Sequence, residues 1–407
     1  MADGAVDRSE GFGERLLGVL LDRARMLPPQ LIAPLIAEEV ARIGGRDVSI
    51  LLQDYGQELL VPLPGRKLHV SQPEPVSDSP AGRSFLRAEV VEVKQAHGVR
   101  MYLPLLDGSD QVGVMALTLD AVGDDDRRLL SRLAGLVGDM LVTKNAYTDQ
   151  FFLARRREPM SVSAEIQWSL LPPLTMSIPQ VSVAGILEPA YRVAGDSFDY
   201  ALNDNILHAA VIDAMGHGLD AAAMATVAIG AYRHARRVFV SLAEKYMFMD
   251  NAIARQFGPD HFVTAQLMHI NIATGELELV NAGHPAPLLI REGRVVRQLE
   301  SATTLPLGFG AEAPRARQHI LRKGDRVLCY TDGIIEEHVN GRELFGEERL
   351  VRCINRLGQE PSQGVRADLR QLSHTLKGER GGLTSDDATL FMIEWNGGTA
   401  DHLAELD

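Results

Sequence analysis

The sequence predicts an α+β protein in two parts, and three observations carry that expectation. Residues 1 to about 145 read helix, helix, hairpin, loop, hairpin, helix, the order of one sheet with helices packed on it. From Ser182 the chain turns β-rich, with helical stretches between the strands. A proline-interrupted connector over residues 146–172 separates the two.

Each element has a local reason. "ERLLGVLLDRARM" puts Leu16, Leu17, Leu20 and Leu21 on one helical face, and Pro28 and Pro29 stop it. A second helix carries the stripe Ile32, Leu35, Ile36, Val40 and Ile43, closed by Gly44 and Gly45. "DVSILLQDYGQELLVPL" reads as two short strands turning at Tyr55-Gly56, and residues 72–82 as a loop. "GVRMYLPLLDGSDQVGVMALTL" is a hairpin about Asp107-Gly108. Leu129, Leu130, Leu133, Leu136, Val137, Met140 and Leu141 stripe the next helix, and Asp124, Asp125 and Asp126 suit its positive N-terminus.

In the connector, "TDQFFLARRREP" extends that helix to Pro159, with Arg155, Arg156 and Arg157 as a solvated face. "SVSAEIQWSLLPP" is a short helix ended by Pro172 and Pro173. Beyond it, "VTAQLMHINIATGELELVNAG" and "APLLIREGRVVRQL" are hairpins turning at Thr274-Gly275 and Glu292-Gly293. "DRVLCYTDG" and "ATLFMIEW" are buried strands, with helices over 221–237 and 363–376. The first ten residues and the tail 397–407 read as loose ends.

Composition narrows the function classes. Hydrophobic residues make up 45% and charged residues 23%, ordinary for a soluble globular chain. A net charge of -13 argues against a general nucleic-acid binder. The two cysteines, Cys329 and Cys353, form no C-x-x-C pair, so neither a disulfide framework nor a structural zinc site is expected. The polar N-terminus lacks the pattern of a signal peptide, and no apolar run approaches the roughly 18 residues needed to cross a bilayer. A cytoplasmic protein with no membrane attachment is the expectation.

The chemistry concentrates in carboxylates. Asp196 lies in "VAGDSFDY", Asp213 ends "LHAAVID", Asp332 ends "VLCYTD", and Asp386 and Asp387 open "SDDATLFMIEW". One acid at a strand end is usually a turn former or cap. Several such sites in one β-rich domain, with Arg192 and Arg326 the nearest basic residues, point to a shared cation. Oxygen donors suit Mg²⁺ or Mn²⁺ rather than zinc. Two such ions can activate a bridging water toward phosphorus, which fits hydrolysis of a phosphate ester. The chain has no P-loop and no G-x-S-x-G elbow.

The motifs "AEIQWSLLPP", "VAGDSFDY", "DAMGHG", "NAGHPAPLL", "YTDGIIEEHVNGRELFGEERL" and "DDATLFMIEW" occur in order over roughly residues 160–396. Together they resemble the bacterial stress-response and sporulation branch of the metal-dependent (PPM) Ser/Thr protein phosphatases, especially members with an N-terminal sensor. The resemblance implies a four-layer α-β-β-α sandwich over 173–396, preceded by a helical linker over 146–172. The order of helices and hairpins over 1–145 itself looks like a GAF-like sensor and dimerisation domain, the alternative being a dimerisation module with no ligand. The resemblance also implies that Asp196, Asp213, Asp332 and Asp386 are catalytic. With the backbone carbonyl of Ala214 they would hold two ions, Mn²⁺ or Mg²⁺. Asp387 stands where the wider family has a polar residue. Ala194 departs from the family's usual Gly-Gly-Asp, and no phosphate-gripping arginine aligns, Arg192 being a candidate by proximity alone. His217 is either a proton donor to the leaving alkoxide or a helix cap, the cap being favoured. His284 is expected to shape its loop.

Members of this branch usually dephosphorylate a small anti-sigma factor antagonist, so that protein is the implied partner, with a small-molecule or protein signal at the first domain and a homodimer as the assembly. The connector offers a gate between sensor and catalytic domain. The competing reading is a weakly catalytic or non-catalytic interaction protein acting through the first domain.

Overall fold

The computed structural model describes residues 10–108, 110–192, 195–302, 304–310, 312–336, 338–339, 343–380 and 387–398. The chain forms two compact units, Met1–Pro159 and Met160–Asp407. Both are mixed α and β.

The first unit runs α1 (Glu10–Met26), α2 (Ile32–Arg42), β1 (Arg46–Gln53), β2 (Leu59–Pro62), β3 (Glu74–Pro75), α3 (Pro80–Arg87), β4 (Val91–Gln95), β5 (Gly98–Asp107), β6 (Asp110–Leu119), α4 (Asp124–Asn145) and α5 (Gln150–Arg155). One sheet results, in the order β3-β2-β1-β6-β5-β4. Both expected hairpins form, β1 with β2 and β5 with β6.

Four details differ from expectation. The buried face of α1 is Leu16, Leu20 and Ala24, while Leu21 is exposed, a straight i, i+4, i+8 stripe. The loop over 72–82 ends in α3, whose N-cap Ser79 accepts the Gly82 N–H. The fourth helix stops at Asn145, and α5 is a separate turn of helix. Arg155 is not simply solvated: its guanidinium lies 4.6 Å over the Tyr55 ring and donates to the Gln53 carbonyl at 2.7 Å.

The second unit runs α6 (Val162–Leu170), β7 (Thr175–Ile178), β8 (Val181–Glu188), β9 (Asp196–Asn203), β10 (Ile206–Ala214), α7 (Gly218–Val238), α8 (Leu242–Phe257), β11 (Val263–Asn271), β12 (Glu276–Ala282), β13 (Leu288–Arg291), β14 (Arg294–Gln298), β15 (Arg317–Ile320), β16 (Asp325–Tyr330), β17 (His338–Val339), β18 (Glu343–Leu344), α9 (Glu347–Leu357), α10 (Val365–Arg380) and β19 (Ala388–Trp395). Two large antiparallel sheets form, β15-β12-β11-β10-β9 and β14-β13-β16-β19-β8-β7.

Strand alternation sorts the side chains into layers. Phe198, Ala209, Val211, Met268 and Leu279 of the first sheet meet Val183, Leu289, Val327, Cys329, Phe391 and Ile393 of the second in one core. The other face of the first sheet (Ala210, Ile212, Leu267, Val280) packs on α7 and α8. The outer face of the second sheet (Ile186, Leu328, Leu390, Met392) packs on α9 and α10. Helices on both outer faces of two packed sheets make the four layers. Each fully buried leucine-sized side chain contributes roughly 1.5–3 kcal/mol, so the three clusters hold the layers together. Two helices, α8 and α9, went unread in the sequence. The first had a legible start, since Ser241 and Glu244 form a capping box.

Candidate active site

The same alternation delivers the acids. Asp213 shares the inward face of Ala209 and Val211, and Asp196 that of Phe198 and Tyr200. The two stand directly opposite in the antiparallel β9–β10 ladder. They therefore lie at one end of the layer between the sheets, above the stacked Phe198 and Phe391 rings, whose centroids are 5.0 Å apart. Asp196 is 1% exposed.

The second sheet brings its share to the same end. Residues 327, 329 and 331 alternate inward, as do 389, 391 and 393. Thr331, fully buried, donates its hydroxyl to Asp196 Oδ2 at 2.6 Å and accepts the Thr389 N–H at 2.9 Å. Asp332 follows at once, opening a short 3-10 turn over Asp332–Ile334. Gly333 has to be glycine, because a Cβ there would lie 1.8 Å from the Asp387 carbonyl oxygen. Asp387 reaches back across the layer, and its Oδ2 accepts the Gly195 N–H at 2.5 Å. Asp386 lies outside the described residues, as does Ala194.

The electrostatics fit a cation. Burial, then the carboxylates of Asp213 and Asp387, push the Asp196 carboxyl well above its ordinary range, and the hydrogen bond from Thr331 opposes this. Among the described residues no three His, Cys, Asp or Glu side chains close into a metal-binding cluster. The fourth predicted carboxylate is not among them. Hard oxygen donors crowded at a buried strand end nevertheless match Mg²⁺ or Mn²⁺ chemistry.

After Asp213 the chain turns through Gly216 (φ 96°) and Gly218 (φ 73°), a left-handed conformation that side chains resist. Ala214 stays in the ladder opposite Val263, its N–H donating to the Gly195 carbonyl at 3.2 Å. His217 occupies the N-cap position of α7, but its exposed side chain makes no capping bond. His284 does shape its loop. Its backbone N–H donates to Asn281 Oδ1 at 2.8 Å, and its Nδ1 pairs with Thr264, the β11 residue facing Asp213.

Arg326 points to the outer face of its sheet, toward Glu394 and Asp368. Arg192 lies exposed after a turn closed by its N–H to the Pro189 carbonyl. Arg380, unremarked in the sequence, is buried at the end of α10 and donates to the Gly333 carbonyl at 3.2 Å.

Residues 203–396 match the family profile of stage II sporulation protein E (SpoIIE). Over those residues the chain is similar to that family. The matched stretch contains Asp213, Ala214, Asp332 and Asp386, and the fold adds Asp196 from just upstream. The phosphoserine phosphatase RsbP of Bacillus subtilis (strain 168) is 27% identical over 194 residues, covering 46% of this chain and 47% of that protein. Protein IcfG of Synechocystis sp. is 23% identical over 223 residues, 47% of this chain and 34% of that one. The chain thus spans less than half the length of either relative. Among solved structures, the RsbU and RsbW domains of Rv1364c from Mycobacterium tuberculosis align at 27% identity over 55% of this chain and 62% of that chain, with a TM-score of 0.48. No helix among the described residues is long and apolar enough to cross a membrane.

Proposed function

We propose that this chain is a metal-dependent phosphoserine/phosphothreonine protein phosphatase. The observation that carries the reading is the opposition of Asp196 and Asp213 at the end of the inter-sheet layer, with the Asp332 turn tied to it through Thr331. The likeness to a phosphoserine phosphatase supports it. Asp196, Asp213, the Ala214 carbonyl, Asp332 and Asp386 are the residues that would hold two Mn²⁺ or Mg²⁺ ions. Such ions would supply Lewis acidity and an activated water, the chemistry needed to hydrolyse a phosphate ester without a phosphoenzyme.

The chain's own contribution is placement. The β9–β10 ladder sets two carboxylates face to face, and the aromatic floor of Phe198 and Phe391 keeps water out from below. The substrate class is a phosphorylated anti-sigma factor antagonist, the setting is cytoplasmic, and the assembly is a homodimer whose first unit receives a signal. The connector gates the site. Its last helical residue, Leu170, accepts a hydrogen bond from Arg233, whose guanidinium also holds Asp199 on the strand of Asp196. A Mn²⁺-dependent p-nitrophenyl phosphate assay on wild type and Asp213→Asn tests the reading. Turnover in the wild type that falls on the order of a hundredfold or more in the variant supports it, since even residues behind a metal ligand cost about 10–100-fold. Equal rates would sink it.

A further inference from the structure

Thr331 carries three bonds at once. Its N–H donates to the Thr389 carbonyl at 3.2 Å, its Oγ1 accepts the Thr389 N–H at 2.9 Å, and its hydroxyl donates to Asp196 Oδ2 at 2.6 Å. A hydroxyl has a single proton to give. With a backbone N–H already on one lone pair, that proton is directed at Asp196. The β-branched side chain is stiff at χ1, and the residue is fully buried, so neither the rotamer nor the partner is easily exchanged.

We propose that Thr331 is a positioning residue of the carboxylate centre. By engaging Oδ2 of Asp196 it fixes the carboxylate plane and assigns Oδ1 as the oxygen that binds a cation. The inference rests on the phosphatase reading above and adds to it a residue that touches neither substrate nor metal.

The placement of Thr331 extends its reach. Asp332 is its next residue, so the bond to Asp196 ties a strand end of the first sheet to the turn carrying another predicted ligand. Thr389, its ladder partner, lies two residues past Asp387. That carboxylate accepts the Gly195 N–H at 2.5 Å, one residue before Asp196. The links run 331 to 196, 195 to 387, and 389 back to 331, a closed loop that crosses between the sheets twice. Within it Asp387 acts as a backbone acceptor, which gives this acid a role distinct from that of its neighbour Asp386. Displacing one of the three segments must strain the bonds to the other two.

The test compares Thr331→Val, which keeps the shape and loses the proton, with Thr331→Ser, which keeps the proton and loses the methyl. Mn²⁺ affinity of the full chain is measured by calorimetry, alongside metal-free thermal unfolding and p-nitrophenyl phosphate turnover against Mn²⁺ concentration. The expected result is Mn²⁺ binding weakened about tenfold or more in the valine variant and restored to within about threefold in the serine variant, the range seen for residues that orient metal ligands. A valine variant that binds Mn²⁺ as tightly as wild type overturns the proposal. So does a serine variant as weak as valine, because methyl packing would then be what matters. If the valine variant does not fold, Thr331→Ala against Thr331→Ser is read the same way. A wild type that binds no Mn²⁺ fails differently: it removes the phosphatase reading itself.

Discussion

Asp196 and Asp213 are cross-strand partners, each on the inward face of its strand, with Asp196 almost wholly buried. Two carboxylates so placed repel each other in a medium that screens poorly. That arrangement costs stability unless a cation offsets it.

The first prediction follows from that repulsion. In metal-free buffer near neutral pH, Asp213→Asn unfolds at a higher temperature than wild type, because the substitution removes one of the two carboxylates that disfavour each other's charge. With millimolar Mn²⁺ the order reverses, because only the wild type gains binding energy in the folded state. Differential scanning calorimetry with and without Mn²⁺ measures both. A variant less stable than wild type in metal-free buffer would show that the carboxylates are not under mutual strain.

How much of this was legible beforehand depends on range. Asp196, Asp213 and Asp332 could be picked out because each ends an apolar strand, a local pattern. The alternation within β9 and β10 even dictates the inward face of Asp196 and Asp213, whereas Asp332 lies past the end of β16, in its turn. What joins them is not local. Thr331 meets Asp196 from 135 residues away, and Asp387 meets Gly195 across 192, and no periodicity encodes which strand ends will abut. Gly333 carries no local sign of its constraint, since its small size is demanded by the Asp387 carbonyl in a different segment. Arg380 was overlooked for the same reason: a basic residue near the end of a helix is commonplace, and only packing buries it against the Gly333 carbonyl. The missed helix α8 is another matter, since its capping box was present in the sequence.

A second prediction concerns pH. His208 on β10 and His269 on β11 face each other edge to face, their ring centroids 4.6 Å apart, on the helix side of the sheet and away from the carboxylates. Burial, then Lys245 of α8 and Arg236 of α7, push His208 down to about 4. Burial, then Lys245 and His208, push His269 down to about 3, while Glu278 of β12 lies 3.7 Å from its Nδ1. Their folded pKa values thus lie below the unfolded value of about 6.5. Between the two, the unfolded chain binds more protons than the folded one, so stability falls as pH drops from about 6.5 toward 4. Each ring contributes at most about 1.4 kcal/mol per pH unit. Urea unfolding at a series of pH values is expected to give a shallower slope for His208→Gln/His269→Gln than for wild type. Parallel slopes would mean that these rings do not set the acid limb.

The last prediction addresses the connector. Asp199 is buried on the helix side of β9, three residues past Asp196. It is held by Arg233 through two bonds of 3.1 Å and by Arg236 through one of 3.0 Å. The same Arg233 guanidinium donates to the carbonyl of Leu170 at the end of α6. One side chain thus ties the end of the connector to the strand that carries Asp196. Removing a partner from a buried ion pair typically costs about 3–5 kcal/mol. Asp199 keeps Arg236, so Arg233→Gln is expected to lose less, about 2–3 kcal/mol, in urea unfolding of the metal-free protein. If the connector reaches the site through this clasp, the variant also needs more Mn²⁺ for half-maximal p-nitrophenyl phosphate turnover at a temperature where it remains folded. Deleting residues 1–145 supplies the complementary measurement. Under gating, the deletion changes the turnover of a chain with Arg233 intact and has a smaller effect in the Arg233→Gln background. Equal Mn²⁺ dependence in wild type and Arg233→Gln, with the stability loss present, would leave Arg233 as a structural clasp and detach the connector from the chemistry of Asp196.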